Sequence, residues 1–524
     1  MHKSVSIRYF AAILFLCSIA LAPCARAEVH LASPFTSHMV LQRDMKVPVW
    51  GTADAGESVT VEFAGQKISA QADAGGNWRV KFKPLKVSAE GRTLTVTGSH
   101  TAHPITLDDV LVGEVWLASG QSNMVFPVSK AHASYAGLIN EEQEIAAANH
   151  PLIRMFTAED TKAYEPQTSV RGSWQVCSPQ TVPDFSAVGY LFARDLQKEI
   201  KTPVGIITEA SGASAAEAWI SRDALAADPQ LKFMLDSLDA SVKYYRAKPQ
   251  GPAAEAPLHP TPINKPRVPV RRLSDPVRDQ HFATVQFNGM INPIISYAIR
   301  GAIWYQGESI CWGTRGLDLY GHVQQTLIKD WRTRWGEGGF PFYIVQLPGQ
   351  QNISNNPRVR EEQASVLNLK NTGMAVGMGI GEAKNVHPHD KAPVADRLAR
   401  LALANVYGRK IESASPMFVS VKTTGSAVHI KFSHAKGGLV AKDGALKGFQ
   451  IAGADRKFVD AEAVIAGDTV VVSSAQVASP VAVRYGWDDF PEGMGCNLYN
   501  AAGLPAAPFR SDKWDCPIPG IVEN

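Results

Sequence analysis

This sequence is poor in the residues that staple, ligate or carry strong charge. Its 524 residues hold 6 cysteines, with no C-x-x-C pair and no H-E-x-x-H run. A zinc centre of either common kind is therefore not expected. Charged residues make up 19% of the chain and the formal net charge is +3. So neutral a surface argues against nucleic acid or an anionic membrane as partner. Beyond the N-terminus no apolar stretch is long enough to span a bilayer. The serine turn G-x-S-x-G is missing as well, which excludes the ordinary α/β-hydrolase elbow. No internal repeat stands out.

What is present begins with an export signal. Residues 1–27 run from a basic start through an apolar centre, Phe10 to Leu21, to a small-residue end, Ala25-Arg26-Ala27. Cleavage after Ala27 is expected, with a periplasmic or extracellular destination. Cys17 and Cys24 would leave with it. A lipid-anchored alternative at Cys24 fits poorly, because Pro23 precedes the cysteine. Removal of Lys3, Arg8 and Arg26, with no acidic residue in the segment, takes the net charge from +3 to zero. Cys177, Cys311, Cys496 and Cys516 remain in a compartment that permits disulfides. Closeness in sequence favours Cys496 with Cys516; whether Cys177 and Cys311 pair stays open.

The rest divides by texture into more than one domain, as a chain of this length should. Residues 28–105 alternate apolar and polar in short runs such as Ser58–Phe63 and Trp78–Phe82, with turn clusters at 51–56 and 73–77. That pattern predicts a β-sandwich-like module. Residues 106–410 alternate apolar strands with helical stretches, which predicts an α/β domain with a parallel sheet covered on both faces. Its expected strands are Val110–Leu117, Val204–Thr208, Gly301–Tyr305 and Phe342–Gln346. Its expected helices lie near Ala187–Ile200, Pro293–Arg300, Tyr320–Arg334 and Val394–Tyr407. Lys248–Pro276, rich in proline and basic residues, reads as an extended surface loop. Residues 411–524 return to β texture.

Ligands in open α/β sheets bind at the carboxyl ends of the strands. Three of the expected strand ends, and the stretch before the last helix, carry a reactive or donor group. Ser122 follows the first, within Gly120-Gln121-Ser122-Asn123. Ser211-Gly212-Ala213-Ser214 follows the second and offers backbone N–H donors. Gln306-Gly307-Glu308 follows the third, with an amide and a carboxylate. Asn385-Val386-His387-Pro388-His389-Asp390 precedes the last helix. Alone, each has a plain structural reading: a serine after a strand is often only a helix cap. Together they supply a nucleophile, oxyanion donors, an acid and a base, the parts of a serine hydrolase.

Gly120-Gln121-Ser122-Asn123-Met124, Trp304-Tyr305-Gln306-Gly307-Glu308-Ser309 and His387-Pro388 resemble the marker blocks of the sialate O-acetylesterase family within the SGNH-hydrolase superfamily. The resemblance extends over nearly all of residues 28–524, from Met39-Val40-Leu41-Gln42-Arg43 to Gly503-Leu504-Pro505. It implies an SGNH-type, flavodoxin-like α/β fold: a parallel sheet with helices on both faces, flanked by β-sandwich-like N- and C-terminal modules. It implies Ser122 as nucleophile and His387 as general base. The oxyanion hole would be formed by the Ser122 and Gly212 N–H groups and the Gln306 side chain, with Glu308 orienting the histidine. Two departures stand out. Lys384 occupies the position, three before the histidine, where the superfamily often has aspartate, and Asn385 follows it. The segment from Ser211 to Ser214 departs from the family's S-W-G-G-T block. Asp390 and Glu382 are therefore rival acids, a Ser–His dyad is an alternative, and His389 is a rival base.

The implied reaction is hydrolysis of a sugar O-acetyl ester, with no cofactor and no metal. A sialic acid substrate carries a carboxylate, for which Arg315 is the candidate binder. Trp312 is a candidate sugar platform, and Trp304, inside a strand, is expected in the core. Two further readings remain: a polysaccharide O-acetylesterase acting on a substrate such as acetylxylan, and a non-catalytic carbohydrate-binding protein on a decayed esterase fold. Oligomeric state is not legible.

Overall fold

The computed structural model describes residues 28–100, 103–247, 275–311, 317–351 and 355–514. The central sheet has six parallel strands: β1 Ile105–Gly120, β2 His150–Thr157, β4 Val204–Ala210, β5 Gly301–Tyr305, β6 Phe342–Val345 and β7 Thr372–Ala375. The antiparallel β3, Trp174–Cys177, forms one edge. Their spatial order is β3-β2-β4-β1-β5-β6-β7. The strands β4, β5 and β6 are buried at every residue, the pattern of a sheet covered on both faces.

Helices α1 (Ala187–Ile200) and α3 (Ala392–Asn405) pack together on one face, and α2 (Tyr320–Trp335) lies on the other. Trp116 anchors the first face, edge-on to Phe192 of α1 and stacked on Tyr343. Trp304 anchors the second, meeting Trp219 and Trp331 of α2 edge to face. Trp304 is thus core, as the sequence predicts. Each helix has a local reason for its bounds. Ser186 caps α1 by accepting from Gly189 N–H at 3.1 Å. Gly336, left-handed at φ 67°, terminates α2. Pro393 sits in the first turn of α3, where no N–H is needed.

Two expectations need correction. The first strand is not Val110–Leu117 but Ile105–Gly120, and it serves two modules at once. Its first half pairs antiparallel with Ser88–Gly98 of the N-terminal β module and parallel with Val40–Gln42, while its second half is the central strand of the parallel sheet. The helix expected near Pro293–Arg300 is absent. The chain makes a π turn over Phe287–Ile291 and a 3-10 turn over Asn292–Ile294, and Ser296 then takes φ 86°. Proline lacks the N–H a helix needs, and a left-handed residue breaks the ladder. The expected loop Lys248–Pro276 falls almost wholly outside the described residues.

The C-terminal region forms two four-stranded antiparallel sheets and a two-stranded one. It braces the loops that follow β6 and β7. Arg360, 2% exposed, donates to the carbonyls of Leu347, Pro348, Asp488 and Asp489 at 2.7–3.0 Å. Glu492 Oε1 accepts from Gly379 and Gly381 N–H at 3.0 and 3.1 Å. Cys177 is buried and unpaired, and burial pushes its thiol up to about 12. Cys516 and the side chain of Cys311 lie outside the described residues. No described helix is long and apolar enough to cross a membrane.

Candidate active site

The strand β1 ends on Gly120, whose φ is +138°; a Cβ there would lie 2.1 Å from the carbonyl oxygen of Tyr305. Only glycine lets the two strand ends meet so closely, and the next residue uses that approach: Gln121 N–H donates to Tyr305 O at 2.9 Å. A single helical turn, Ser122–Val125, starts at once. Gln121 Oε1 reaches across to Gly307 N–H, Ser309 N–H and Ser309 Oγ at 3.3–3.4 Å, so the nucleophile turn and the Gln306–Ser309 turn hold each other.

His387 Nε2 lies 2.7 Å from Ser122 Oγ, the contact a nucleophile and its base require. The histidine loop is shaped by Asn385, whose Oδ1 accepts from His387 N–H at 3.0 Å and whose Nδ2 donates to His387 O at 2.9 Å. The ring of Tyr135 covers the imidazole, centroids 4.5 Å apart. Burial, with the charges on Lys391 and His389, lowers His387 from 6.5 to about 4. The imidazole is therefore neutral near pH 7, free to accept a proton. Tyr135, on the loop after Pro127-Val128-Ser129, went unseen in the sequence because no motif contains it.

Gly212 is exposed and borders the serine: its missing Cβ would sit 4.0 Å from Ser122 Cβ, with nothing nearer. Neither the Ser122 nor the Gly212 N–H has a backbone acceptor among the described residues. Ala213 holds the turn at φ 53°, a left-handed conformation more often given to glycine. The turn thus holds a left-handed residue without a glycine at that position. Gln306 is 1% exposed and clamped: its Nε2 donates to Ser214 O at 3.1 Å and its Oε1 accepts from Tyr320 O–H at 2.6 Å. One amide hydrogen of Nε2 remains uncommitted.

The acid is where the expectation fails. Glu308 makes no hydrogen bond to His387. It is 5% exposed, and its Oε1 accepts instead from Asn123 Nδ2, which also donates to Val386 O at 2.9 Å. Burial raises the Glu308 pKa. Its link to the histidine runs through the Asn123 amide and the backbone before His387. The rivals do not fill the gap. Glu382 accepts from His389 N–H at 2.7 Å and faces His389 Nδ1 at 2.9 Å. Asp390 makes no hydrogen bond to His387 either. His389, paired with Glu382, is not on the serine. Among the described residues no carboxylate is hydrogen-bonded to His387. Arg315 and Trp312 lie outside the described residues.

Known proteins share this architecture. A family model described as carbohydrate esterase, sialic acid-specific acetylesterase, matches residues 283–404. The sialate O-acetylesterase of Rattus norvegicus is 28% identical over 92% of this chain and 94% of its own length. That of Homo sapiens is 27% identical over 91% of each. The crystal structure of a novel carbohydrate acetylesterase from Xanthomonas citri is 32% identical, with a TM-score of 0.78, over 93% of this chain and 100% of that one. This protein belongs to the sialate O-acetylesterase family of carbohydrate esterases, and is a carboxylic ester hydrolase of O-acetylated carbohydrate.

Proposed function

We propose that the protein is an exported serine esterase that removes O-acetyl groups from sialic acids. The observation that carries the mechanism is the 2.7 Å contact of His387 Nε2 with Ser122 Oγ beside two uncommitted backbone N–H groups. Ser122 Oγ attacks the acetyl carbonyl as His387 takes its proton. The oxyanion forms against the N–H groups of Ser122 and Gly212, with the remaining Gln306 hydrogen as a third donor. The C–O bond to the sugar breaks, and His387 returns the proton to the leaving hydroxyl. Water, deprotonated by His387, then attacks the acetyl-serine, and acetate leaves as the serine is reprotonated.

The five strands β4-β1-β5-β6-β7 run in chain order 2-1-3-4-5, which supports an SGNH-type, flavodoxin-like core with β2 and β3 added at one edge. Ser122 then sits at the carboxyl end of β1, where its neighbours on both sides come later in the chain. The relatives named as sialate O-acetylesterases support sialic acid as substrate, with Arg315 as the binder of its carboxylate. The Xanthomonas citri carbohydrate acetylesterase, at 32% identity, favours a second reading in which another acetylated glycan is cleaved. The serine–histidine contact weighs against a decayed, purely binding fold. For export, the measurement is the N-terminal mass of the mature protein, expected to begin at Glu28.

Acetate release from O-acetylated sialic acid and from acetylated xylan, side by side, tests the substrate. Sialate-selective release that disappears in Ser122→Ala supports the proposal. Xylan-selective release keeps the chemistry and replaces the substrate. Equal activity of wild type and Ser122→Ala would sink the serine mechanism.

A further inference from the structure

Behind the serine and histidine lies a buried charge that the reaction above does not use. Lys391 is 0% exposed. Its ammonium donates to Asn123 Oδ1 and lies over the rings of Phe126, at 4.3 Å, and Tyr305, at 5.5 Å. It is the N-cap residue of α3, the end of a helix where a cation is least welcome. A buried ammonium is also costly to desolvate. Burial lowers it from 10.5 to about 7, against the pull of Glu308. Helix capping alone would be better served by serine or aspartate.

What the lysine holds is the Asn123 amide, which is 0% exposed and fully committed. Asn123 follows the nucleophile. Its Nδ2 donates to Glu308 Oε1 and to Val386 O, the carbonyl just before His387. Lysine, amide and carboxylate therefore join the nucleophile turn, the Gln306–Ser309 turn, the histidine loop and the start of α3. The lysine also fixes which end of the amide faces which partner. An ammonium can only donate, so Asn123 must present its oxygen to Lys391 and its nitrogen to Glu308 and Val386.

We propose that Lys391 is a positioning residue of the esterase site: through Asn123 it sets Ser122, Glu308 and His387 in register. This rests on the proposed roles of Ser122 and His387. The groups that face His387 are Ser122 from the nucleophile turn and Tyr135 from its loop. Asn385 and His389 come from its own loop, Lys391 from the start of α3, and Glu308 stands behind Asn123. Glu382 is taken up by His389 and Asn385. With no carboxylate bonded to it, the imidazolium finds its counter-charge only when the oxyanion forms. Burial first, and then the charges on Lys391 and His389, disfavour protonation in the resting enzyme, so the attraction between imidazolium and oxyanion belongs to the transition state.

The test uses the full chain with Lys391→Met, Lys391→Met/Glu308→Gln, and Ser122→Ala. Acetate release gives kcat and KM separately, kcat/KM is profiled against pH, and thermal unfolding is followed. Lys391→Met is expected to lower kcat about 10- to 100-fold with little change in KM, as misplacement of reacting groups does. Its acid limb should move up by roughly 1 pH unit as the like charge is removed. The double variant, which removes both buried charges, should recover thermal stability but not kcat. A double variant that folds with wild-type kcat and an unmoved acid limb, beside an inactive Ser122→Ala, would overturn this proposal alone. An active Ser122→Ala would overturn the serine mechanism, and this proposal with it.

Discussion

Gly120→Ala is the sharpest test of how the strand delivers the serine. Two separate penalties apply. At φ +138° an alanine is held outside its allowed backbone regions, which costs about 1–3 kcal/mol. Its Cβ would also lie 2.1 Å from Tyr305 O and 2.9 Å from Tyr305 N. These are backbone atoms of β5, inside a five-residue strand buried at every position, so no flexible side chain can yield. Forcing a methyl into such a contact costs another ~1–3 kcal/mol. The combined loss is about 2–6 kcal/mol, which lowers the Tm of a domain this size by roughly 4–12 °C. The relief must come from separating β1 and β5, and that breaks the Gln121 N–H to Tyr305 O bond and displaces Ser122. A shift on the order of 1 Å there should cost about 10²-fold in kcat. Differential scanning calorimetry with acetate-release kinetics measures both. Gly56→Ala is the control: its φ is +80° but nothing lies within 4 Å, so only the backbone penalty applies and activity should hold. If Gly120→Ala matched Gly56→Ala in Tm and kept wild-type kcat, the close-approach argument would be wrong.

Three other outcomes follow from the same geometry. Gln306→Ala removes a proposed oxyanion donor together with the clamp between Ser214 and Tyr320, and kcat should fall ~10²-fold or more with KM little changed; a loss confined to KM would remove Gln306 from the oxyanion hole. Because His387 must be neutral to act as base and its pKa is lowered to about 4, kcat/KM should stay level as pH falls through 6.5 and decline only towards 4. The same group makes the fold less stable over that window, since the unfolded chain takes up its proton first; an acid limb centred at 6.5 would refute the assignment. Arg360→Met leaves the carbonyls of Leu347, Pro348, Asp488 and Asp489 without their shared donor and should destabilise the protein by about 3 kcal/mol or more, seen in chemical denaturation; an unchanged midpoint would show that the C-terminal region does not brace these loops.

Much of the site could be read in the chain because its parts sit at the ends of apolar strands, where local pattern is strong. Ala187–Ile200 and Gly301–Tyr305 keep the bounds expected from sequence, since period and caps agree there. The strand His150–Thr157 escapes such reading: Pro151 and Arg154 interrupt its apolar run. Arg154 is tolerated, 4% exposed, because Asp109 and His38 O, from distant segments, join the nearby Pro151 O in meeting its guanidinium.

The sequence by itself determined most of the element types around the site, the turn that carries Ser122 and the histidine that faces it, because glycine placement, strand pattern and the serine, glutamine and histidine blocks are local properties. Only the tertiary structure decided the partners. Glu308 stands in the chain as an acid for His387, yet Asn123 takes it, because Asn123 is the residue that the turn after Gly120 points inward. Lys391 reads as one more charged residue at a helix start until the fold buries it against that same amide. Such partners are hundreds of residues apart, and no local pattern encodes which of several carboxylates will lie within reach of a given donor.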